Sequence, residues 1–175
     1  TPKVPFEIDA AHAFVDSFEN SPCGWVFTNG DRTNQWCWGN ATNNGGEKAM
    51  YISNDQGTSN AYTMNSTTIV YASKLFNFAQ GTYNFSFDWK ANGESNSNGT
   101  THYDFLRAVL VTGDVELTPG TTYPTGFSAT TLPSTWIALD GGHQLNLNGE
   151  WQSQIAETSL SGYYTLFFIW RNDSG

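Results

Sequence analysis

The carboxylates are the side chains of this sequence with the most evident chemistry, and their spacing decides which reactions are open to them. A glycosidase needs two carboxyl groups that face each other across a cleft, roughly 5–9 Å apart. Hydrolases built on β-sheets often carry the pair as Glu-x-x-x-Glu or Glu-x-Asp-x-x-Glu along one strand, and neither spacing occurs here. Glu94, Glu116, Glu150 and Glu157 are isolated, and Asp88 alone does not make a mechanism. We therefore expect the chain not to be an enzyme.

Serine-nucleophile and zinc chemistry are not indicated by the sequence either. The G-x-S-x-G turn of serine hydrolases is absent. His12, His102 and His143 are scattered, which favours surface positions, and the cysteines form no C-x-x-C pair, which argues against zinc. Cys23 and Cys37 either close a short loop in an oxidising compartment or remain small buried hydrophobic residues, and the sequence leaves both alternatives open.

The charge balance limits the classes of partner. The formal net charge is −9 at pH 7, which argues against nucleic acid, because affinity for nucleic acid comes largely from Lys and Arg on phosphates. The acidic surplus is compatible with calcium, but acidic residues are also the ordinary means of staying soluble, and we rank that interpretation first. No window of 18 apolar residues exists, so we expect no membrane insertion. The oligomeric state stays open.

The elements that must position any site are extended strands, and the stretch from Gly81 to Val111 organises them. Aromatic side chains alternate with polar ones along its first strand: Tyr83, Phe85, Phe87 and Trp89. This period of two is typical of a strand with one buried and one wet face. A polar loop over residues 91–101 leads to a second strand over 103–112, whose apolar run predicts cover on both faces.

Short strand-like segments separated by Gly, Asn, Ser and Thr make up the rest of the chain. Residues 14–20 are predicted to form the first of them, and a turn at residues 79–81 is predicted to end the strand that begins at Thr68. Residues 112–132 are rich in Thr, Pro and Gly and indicate a long surface excursion. Roughly seven to nine strands without a credible long helix predict an all-β fold, an antiparallel β-sandwich or jelly roll.

Several short motifs follow one another in a familiar order. They are Ser17-Phe-Glu-Asn20, Gly24-Trp25, Ala49-Met-Tyr-Ile-Ser-Asn54, Gly81 to Trp89, Glu94 with Tyr103-Asp-Phe-Leu106, and Gly162 to Asp173. This series resembles the cleaved-adhesin domains, which are jelly-roll modules of secreted bacterial adhesins of the gingipain type and are themselves similar to MAM domains. The resemblance covers about residues 14–175.

The resemblance implies an architecture and a location. It implies one jelly-roll β-sandwich of the galactose-binding or concanavalin-like kind over residues 14–175, preceded by a lead-in or linker at residues 1–13. It also implies an extracellular or cell-surface protein. The family continues past the turn at residues 172–175 into a further strand, whereas this sequence stops at Gly175, so we expect a domain that lacks its final strand.

The resemblance also implies a structural calcium. In related jelly rolls the Glu of a Phe-Glu pair ligates calcium together with loop carbonyls and an Asp, and the matching residue here is Glu19. Calcium takes six to eight oxygen ligands, which adds Asn54 and Asp55 from a loop and Asp104 from the start of a strand. The alternative is that Glu19 and Asp55 are solvated surface acids and that Asp104 caps its strand.

Sugar recognition is the binding chemistry that the aromatic residues favour. Protein sites for sugars stack the apolar sugar face on Trp or Tyr and surround it with hydrogen-bonding side chains. The rings that lie in polar loops are the candidates: Trp36, Trp38, Tyr62, Tyr123 and Trp136. The alternative for each is a place in the core, and Trp36 and Trp38 share one face of an extended segment.

These observations favour a passive function. We expect a non-catalytic adhesion or carbohydrate-binding module of a larger secreted bacterial protein, whose partner is a glycan or a host surface protein. A structural or protein–protein interaction spacer, as MAM domains often are, is the alternative, and a glycoside hydrolase ranks third. Two rings exposed side by side on a concave face would distinguish a glycan binder from a spacer, and opposed carboxylates in a cleft would indicate a hydrolase.

Overall fold

The computed structural model describes residues 2–20, 22 and 24–175. Its regular elements are strands, so the prediction of an all-β chain is confirmed. In chain order they are β1 (Phe6–Ile8), β2 (Val26–Thr28), β3 (Gln35–Gly39), β4 (Ala49–Ser53), β5 (Thr68–Ala91), β6 (Phe105–Thr112), β7 (Ile137–Ala138) and β8 (Asn148–Asn172). The part of the chain that the structure describes contains no helical segment with the length and apolar character that spanning a bilayer requires.

Two very long strands, β5 and β8, form the centre of the fold. They pair antiparallel from Thr68 opposite Asn172 to Ala91 opposite Asn148. β6 pairs with β8 on its other side and is followed by the short β7. β1 pairs parallel and β2 antiparallel with the outer edge of β5, and these strands together make the main sheet. β3 and β4 form a separate two-stranded antiparallel sheet.

A β-bulge divides the β5–β8 pair into a half that belongs to the main sheet and a half that projects from it. The pairing register shifts just after Phe78, and Gly162 on the opposite strand has a φ of +94°, which residues with a Cβ rarely adopt. We call the ribbon beyond the bulge, residues 81–91 paired with 148–160, the arm. The predicted turn at residues 79–81 is wrong, because a bulge bends a strand while keeping it paired.

The arm folds back over one face of the main sheet. The predicted alternation along it is confirmed: Tyr83, Phe85 and Phe87 are half-buried, Trp89 is buried, and the polar residues between them are exposed. The ring of Phe87 meets the ring of Phe168 on the main sheet, with centroids 5.1 Å apart. The inward face of the arm and the main sheet therefore enclose a common apolar space.

The N-terminal segment lines this space without forming the strand predicted for residues 14–20. The Asp16 carboxylate accepts hydrogen bonds from the Phe18 amide at 2.7 Å and from Trp25 Nε1 at 3.1 Å. Phe18 has a φ of +62°, so the backbone turns locally instead of joining a ladder. Within the lead-in, β1 is an edge strand, and its last residue, Ile8, is buried in the core.

Two apolar clusters lie on the two faces of the main sheet. The larger lies between the main sheet, the arm and the β3–β4 sheet. The smaller lies on the opposite face, where Tyr123 and Phe127 of the surface excursion and Trp136 beyond it cover the sheet. β6 contributes to both clusters and is buried along nearly its whole length, which confirms its prediction as a strand covered on both faces.

Candidate functional site

The candidate site is a cavity of about 1040 Å³ between the arm and the main sheet. The main sheet forms its floor, and the arm, β4 and the N-terminal segment form its walls. Protein interiors normally pack as tightly as organic crystals, with few voids larger than a water molecule. Pockets that hold small ligands measure roughly 300–1,000 Å³. The cavity therefore has about the size of the largest ligand sites, slightly above that range.

Aromatic rings from three parts of the chain border the cavity. Among them are Phe14, Phe18, Trp25, Phe85, Phe87, Trp89, Phe168 and Trp170. Phe168 lies at the floor between Ala72 and Ala108, its partners in register on the two neighbouring strands. Both alanines are fully buried, yet Phe168 keeps some exposure although its strand is central. Phe168 itself borders the cavity, whereas the two alanines are covered by the core.

The segment from residue 40 to 47, which we call the strap, joins β3 to β4 and runs along the rim of the cavity. Asn44 Nδ2 donates a hydrogen bond to Asp88 Oδ2 at 2.7 Å. Trp151 Nε1 donates to the Asn43 carbonyl at 2.7 Å. Asp88 belongs to one strand of the arm and Trp151 to the other, so the strap is fastened to both.

Glu19, a predicted metal ligand, fastens the strap to the N-terminal segment. Its Oε2 accepts the amide N–H of Glu47 at 2.9 Å, and its Oε1 accepts that of Lys48 at 3.2 Å. A Cβ on Gly46 would lie 2.2 Å from Glu19 Oε1, so the strap can make this approach only with glycine there. Both carboxylate oxygens thus accept hydrogen bonds from backbone amides, and Glu19 anchors the strap.

Asn54 and Asp55, two further predicted ligands, hold the turn after β4. Asp55 Oδ1 accepts the hydroxyl of Ser53 at 2.7 Å, and its Oδ2 accepts the hydroxyl of Ser59 at 2.6 Å. The Ser59 and Ser53 hydroxyls lower the pKa of Asp55, because hydrogen bonds to the charged form favour it. Asn54 Nδ2 donates to Thr63 Oγ1 at 3.0 Å. These contacts close the loop on itself.

Asp104, the fourth predicted ligand, belongs to a different cluster. Its Oδ2 accepts the Tyr62 hydroxyl at 2.5 Å, and its Oδ1 accepts the Asp173 amide at 3.0 Å. Asp104 is fully buried, and this burial raises the pKa of its carboxyl group. Among the described His, Cys, Asp and Glu residues, Glu94, Asp104 and Asp173 form a group whose ligand atoms all lie within 4.8 Å of one another.

The structure therefore does not assemble the four predicted ligands into one site. Asp104 lies in the acidic cluster with Glu94 and Asp173, whereas Glu19 and Asp55 are not members of it. Glu94 Oε2 is buried and has no hydrogen-bond partner among the described residues. Glu94 and Asp173 were not among the predicted ligands, because their proximity to Asp104 depends on long-range packing.

Three of the predicted sugar-binding rings are built into the fold near the cavity. Trp36 is buried and donates from Nε1 to the Val70 carbonyl at 3.3 Å. Trp38 is half-buried and donates from Nε1 to the Phe18 carbonyl at 2.6 Å. The ring of Tyr62 packs edge to face against Trp170, with centroids 5.1 Å apart. Trp36 and Tyr62 border the cavity, so the structure brings these two to one site.

The other two predicted rings lie on the opposite face of the main sheet. Tyr123 packs edge to face against Phe127, with centroids 5.1 Å apart, and Trp136 packs against the same ring at 5.8 Å. The Arg171 guanidinium lies over the ring of Tyr123 at 5.2 Å. The five predicted rings therefore do not share one exposed surface, and sequence reasoning missed the rings of the arm and the N-terminal segment as cavity lining.

The cavity wall holds carboxylates, but each bonds to groups of the chain itself. Asp88 accepts Asn44 Nδ2 and also the Ser153 hydroxyl at 2.6 Å, while Asp16 and Glu19 bond as described above. Of the two cysteines, Cys37 is half-buried and burial raises the pKa of its thiol, while Cys23 lies outside the described residues.

Comparison of the chain with protein-family models, curated proteins and solved structures finds no match.

Proposed function

We propose that this chain is a non-catalytic binding module of an extracellular surface protein, a jelly-roll β-sandwich that holds its ligand in the cavity beneath the arm. The observation that carries the proposal is the cavity itself, about 1040 Å³ in volume and bordered by aromatic rings. The cavity opens to solvent at its rim, so a ligand can reach the rings. An apolar concavity with a few polar groups is the usual form of a small-molecule site.

The binding mechanism would be passive. The floor is the main sheet, which contributes Leu106, Phe168 and Trp170. The arm supplies Phe85 and Phe87 from above. A ligand that enters exchanges water for contacts with rings already held in place, so the affinity comes from apolar burial with little ordering cost.

The carboxylates of the wall support a non-catalytic assignment. Asp16, Glu19 and Asp88 each accept hydrogen bonds from this chain's own backbone or side chains. Their contacts position the N-terminal segment and the strap. A hydrolase would need two such groups free to face the substrate from opposite sides.

Glycan binding at the rim is the second candidate. Trp151 borders the cavity together with the amide side chains of Asn44, Asn84 and Asn92, and a ring beside amide groups is the combination that sugar sites use. Calcium also stays part of the proposal, as a structural ion at the cluster of Glu94, Asp104 and Asp173, whose ligand atoms lie within 4.8 Å of one another. Both would suit an adhesive module.

A neutral fluorescent probe tests the proposed function. N-phenylnaphthylamine should bind with enhanced emission and should be displaced by any ligand that enters the cavity. Ile52 borders the cavity and is half-buried, so Ile52→Trp should weaken probe binding about tenfold or more by filling the space. Ile155 is 69% exposed on the outer face of the arm, and Ile155→Trp is the matched control that should leave binding unchanged.

The outcomes separate a ligand site from a spacer. If Ile52→Trp proves unstable, Met50→Trp, at another half-buried cavity position on β4, replaces it. Failure of the wild-type protein to bind the probe would favour the spacer interpretation. Binding confined to the rim would leave the cavity variant and the control equal, and a glycan array would then identify a sugar ligand.

A further inference from the structure

We infer that the ligand class of this cavity is an anionic single-chain amphiphile, a free fatty acid, whose chain lies among the rings while Lys48 and Lys90 attract its carboxylate at the rim. The inference rests on the proposed function, since it requires the cavity to be a ligand site. It adds the chemistry of both ends of the ligand.

The apolar end of the ligand follows from the interior of the cavity. The floor offers Phe168, and the walls offer Phe85, Phe87, Met50 and Ile52, which are half-buried although they point toward the core. These side chains have hydrocarbon or aromatic surfaces and no hydrogen-bonding group. Burying a methylene chain against such surface is favourable by about 0.8 kcal/mol for each CH₂ group. A sugar, with a hydroxyl on nearly every carbon, would lose hydrogen bonds to water there without replacement.

The charged end follows from two lysines at the rim. The Lys48 ammonium lies 4.4 Å from the centroid of the Trp38 ring, and the Lys90 ammonium lies 5.1 Å from that of Trp151. Both lysines border the cavity. Neither forms an ion pair with a carboxylate of the described residues. A ring face attracts an ammonium but leaves its other hydrogens free for an anion.

Three acids border the same cavity, Asp16, Glu19 and Asp88, and none of them forms an ion pair with Lys48 or Lys90. Glu19 is engaged by two backbone amides of the strap, and Asp88 by Asn44 and Ser153. The chain as a whole carries a net charge of −9, which repels anions at long range. Attraction of a carboxylate to this molecule must therefore come from local cations, and the strap region supplies Lys48 and Lys90 at its two attachments.

Three probes with the same chain length separate the contributions of chain and charge. Hexadecanoate, hexadecanol and hexadecyltrimethylammonium are titrated below their micellar concentrations, with tryptophan fluorescence and calorimetry as readouts. Trp25, Trp89 and Trp170 border the cavity, so a ligand inside it should change their emission. We expect hexadecanoate to bind most tightly, hexadecanol about three- to tenfold more weakly, and the cationic amphiphile most weakly.

Lysine variants then test the rim. The double variant Lys48→Met/Lys90→Met should weaken the binding of hexadecanoate by about three- to tenfold and leave the binding of hexadecanol unchanged. Methionine keeps a long apolar side chain at each position and removes the charge. Lys3→Met is the matched control, because Lys3 is not part of the cavity and pairs with Asp114 at 3.0 Å. It should leave both affinities unchanged.

Each outcome bears on one of the two proposals. If hexadecanol binds as tightly as hexadecanoate, or if the double variant binds hexadecanoate normally, the fatty-acid inference is wrong while the cavity remains a ligand site. Tighter binding of the cationic amphiphile would also overturn it. If none of the three amphiphiles and no neutral probe binds, the proposed function itself fails.

Discussion

The rings of Phe87 and Phe168 meet edge to face with their centroids 5.1 Å apart, one from the arm and the other from the centre of the main sheet. The two residues belong to opposite halves of the β5–β8 pair, on either side of the bulge. Their contact holds the arm over one face of the main sheet. The cavity exists because this cover touches the floor at Phe168 and leaves space around it.

Removing the ring of Phe87 should loosen the arm. Phe87→Ala loses an aromatic pair and part-buried apolar surface, and we expect a loss of about 1–3 kcal/mol in the free energy of unfolding, less than for a fully buried Phe. Urea denaturation measures this free energy. Ile155→Ala, on the exposed outer face of the arm, should change stability by less than about 0.5 kcal/mol. Equal losses in the two variants would show that the arm does not rest on this contact.

A buried ion pair fixes β6 to the segment that follows β7. Arg107 Nε donates to Asp140 Oδ2 at 2.6 Å, and both side chains are almost fully buried. Asp140→Asn should destabilise by about 3–5 kcal/mol, because it leaves a buried charge without its partner. The double variant Arg107→Met/Asp140→Leu should lose less free energy of unfolding than Asp140→Asn. The denaturant midpoints of the two variants measure the difference. A double variant that is less stable than the single one would contradict this account.

The strap depends on the close approach of Gly46 to Glu19. Gly46→Ala places a Cβ 2.2 Å from Glu19 Oε1, so the carboxylate must move and lose its bonds to the Glu47 and Lys48 amides. We expect amide hydrogen exchange at these two positions to accelerate, because local opening becomes easier. Gly120→Ala is the control, since a Cβ there meets nothing within 4 Å. Unchanged exchange in Gly46→Ala would mean that Glu19 does not anchor the strap.

The buried Asp104 predicts a pH dependence with a definite sign. Burial raises the pKa of its carboxyl in the folded chain, so between the unfolded and folded pKa values the folded state binds more protons. Stability should therefore fall as pH rises from about 4 through the folded pKa, by at most about 1.4 kcal/mol per pH unit. Asp104→Asn should remove this component of the slope in denaturation curves taken at several pH values. The same slope in wild type and variant would contradict the assignment.

Calcium provides a separate test of the acidic cluster. If Glu94, Asp104 and Asp173 share an ion, calcium at a hundred times its Kd should raise the free energy of unfolding by about 2.7 kcal/mol. Thermal unfolding with calcium and with a chelator measures the shift in Tm. Asp173→Asn should reduce the shift, and Asp55→Asn, at a carboxylate outside the cluster, should not. Identical curves with and without chelator would mean that the cluster holds no calcium.

Local pattern predicts the strands of this chain well where apolar residues alternate with polar ones or form an unbroken run. The alternation from Tyr83 to Trp89 identifies the inward face of the arm, and the apolar run over residues 105–112 identifies a strand covered on both faces. Both patterns arise from the pleat and from burial, which act on neighbouring residues. These are the features that a sequence shows directly.

Features that depend on the partner strand escaped prediction. A glycine at residue 81 signals a turn or a bulge equally well, and only pairing with β8 distinguishes them. The fold-back that brings Phe87 to Phe168, and with it the cavity, follows from that distinction. The partners of Glu19 and Asp104 are likewise set by long-range packing, so the family resemblance and the preference of calcium for oxygen ligands suggested a set that the structure separates.

Nuclear Overhauser contacts between a bound amphiphile and the protein would locate a ligand beneath the arm. With hexadecanol at saturating concentration, we expect contacts from its methylene protons to the ring protons of Phe85, Phe87 and Phe168, which border the cavity. Ile155, on the outer face of the arm, should receive none. Contacts confined to outer residues, or no contacts to these rings at saturation, would contradict a ligand site beneath the arm.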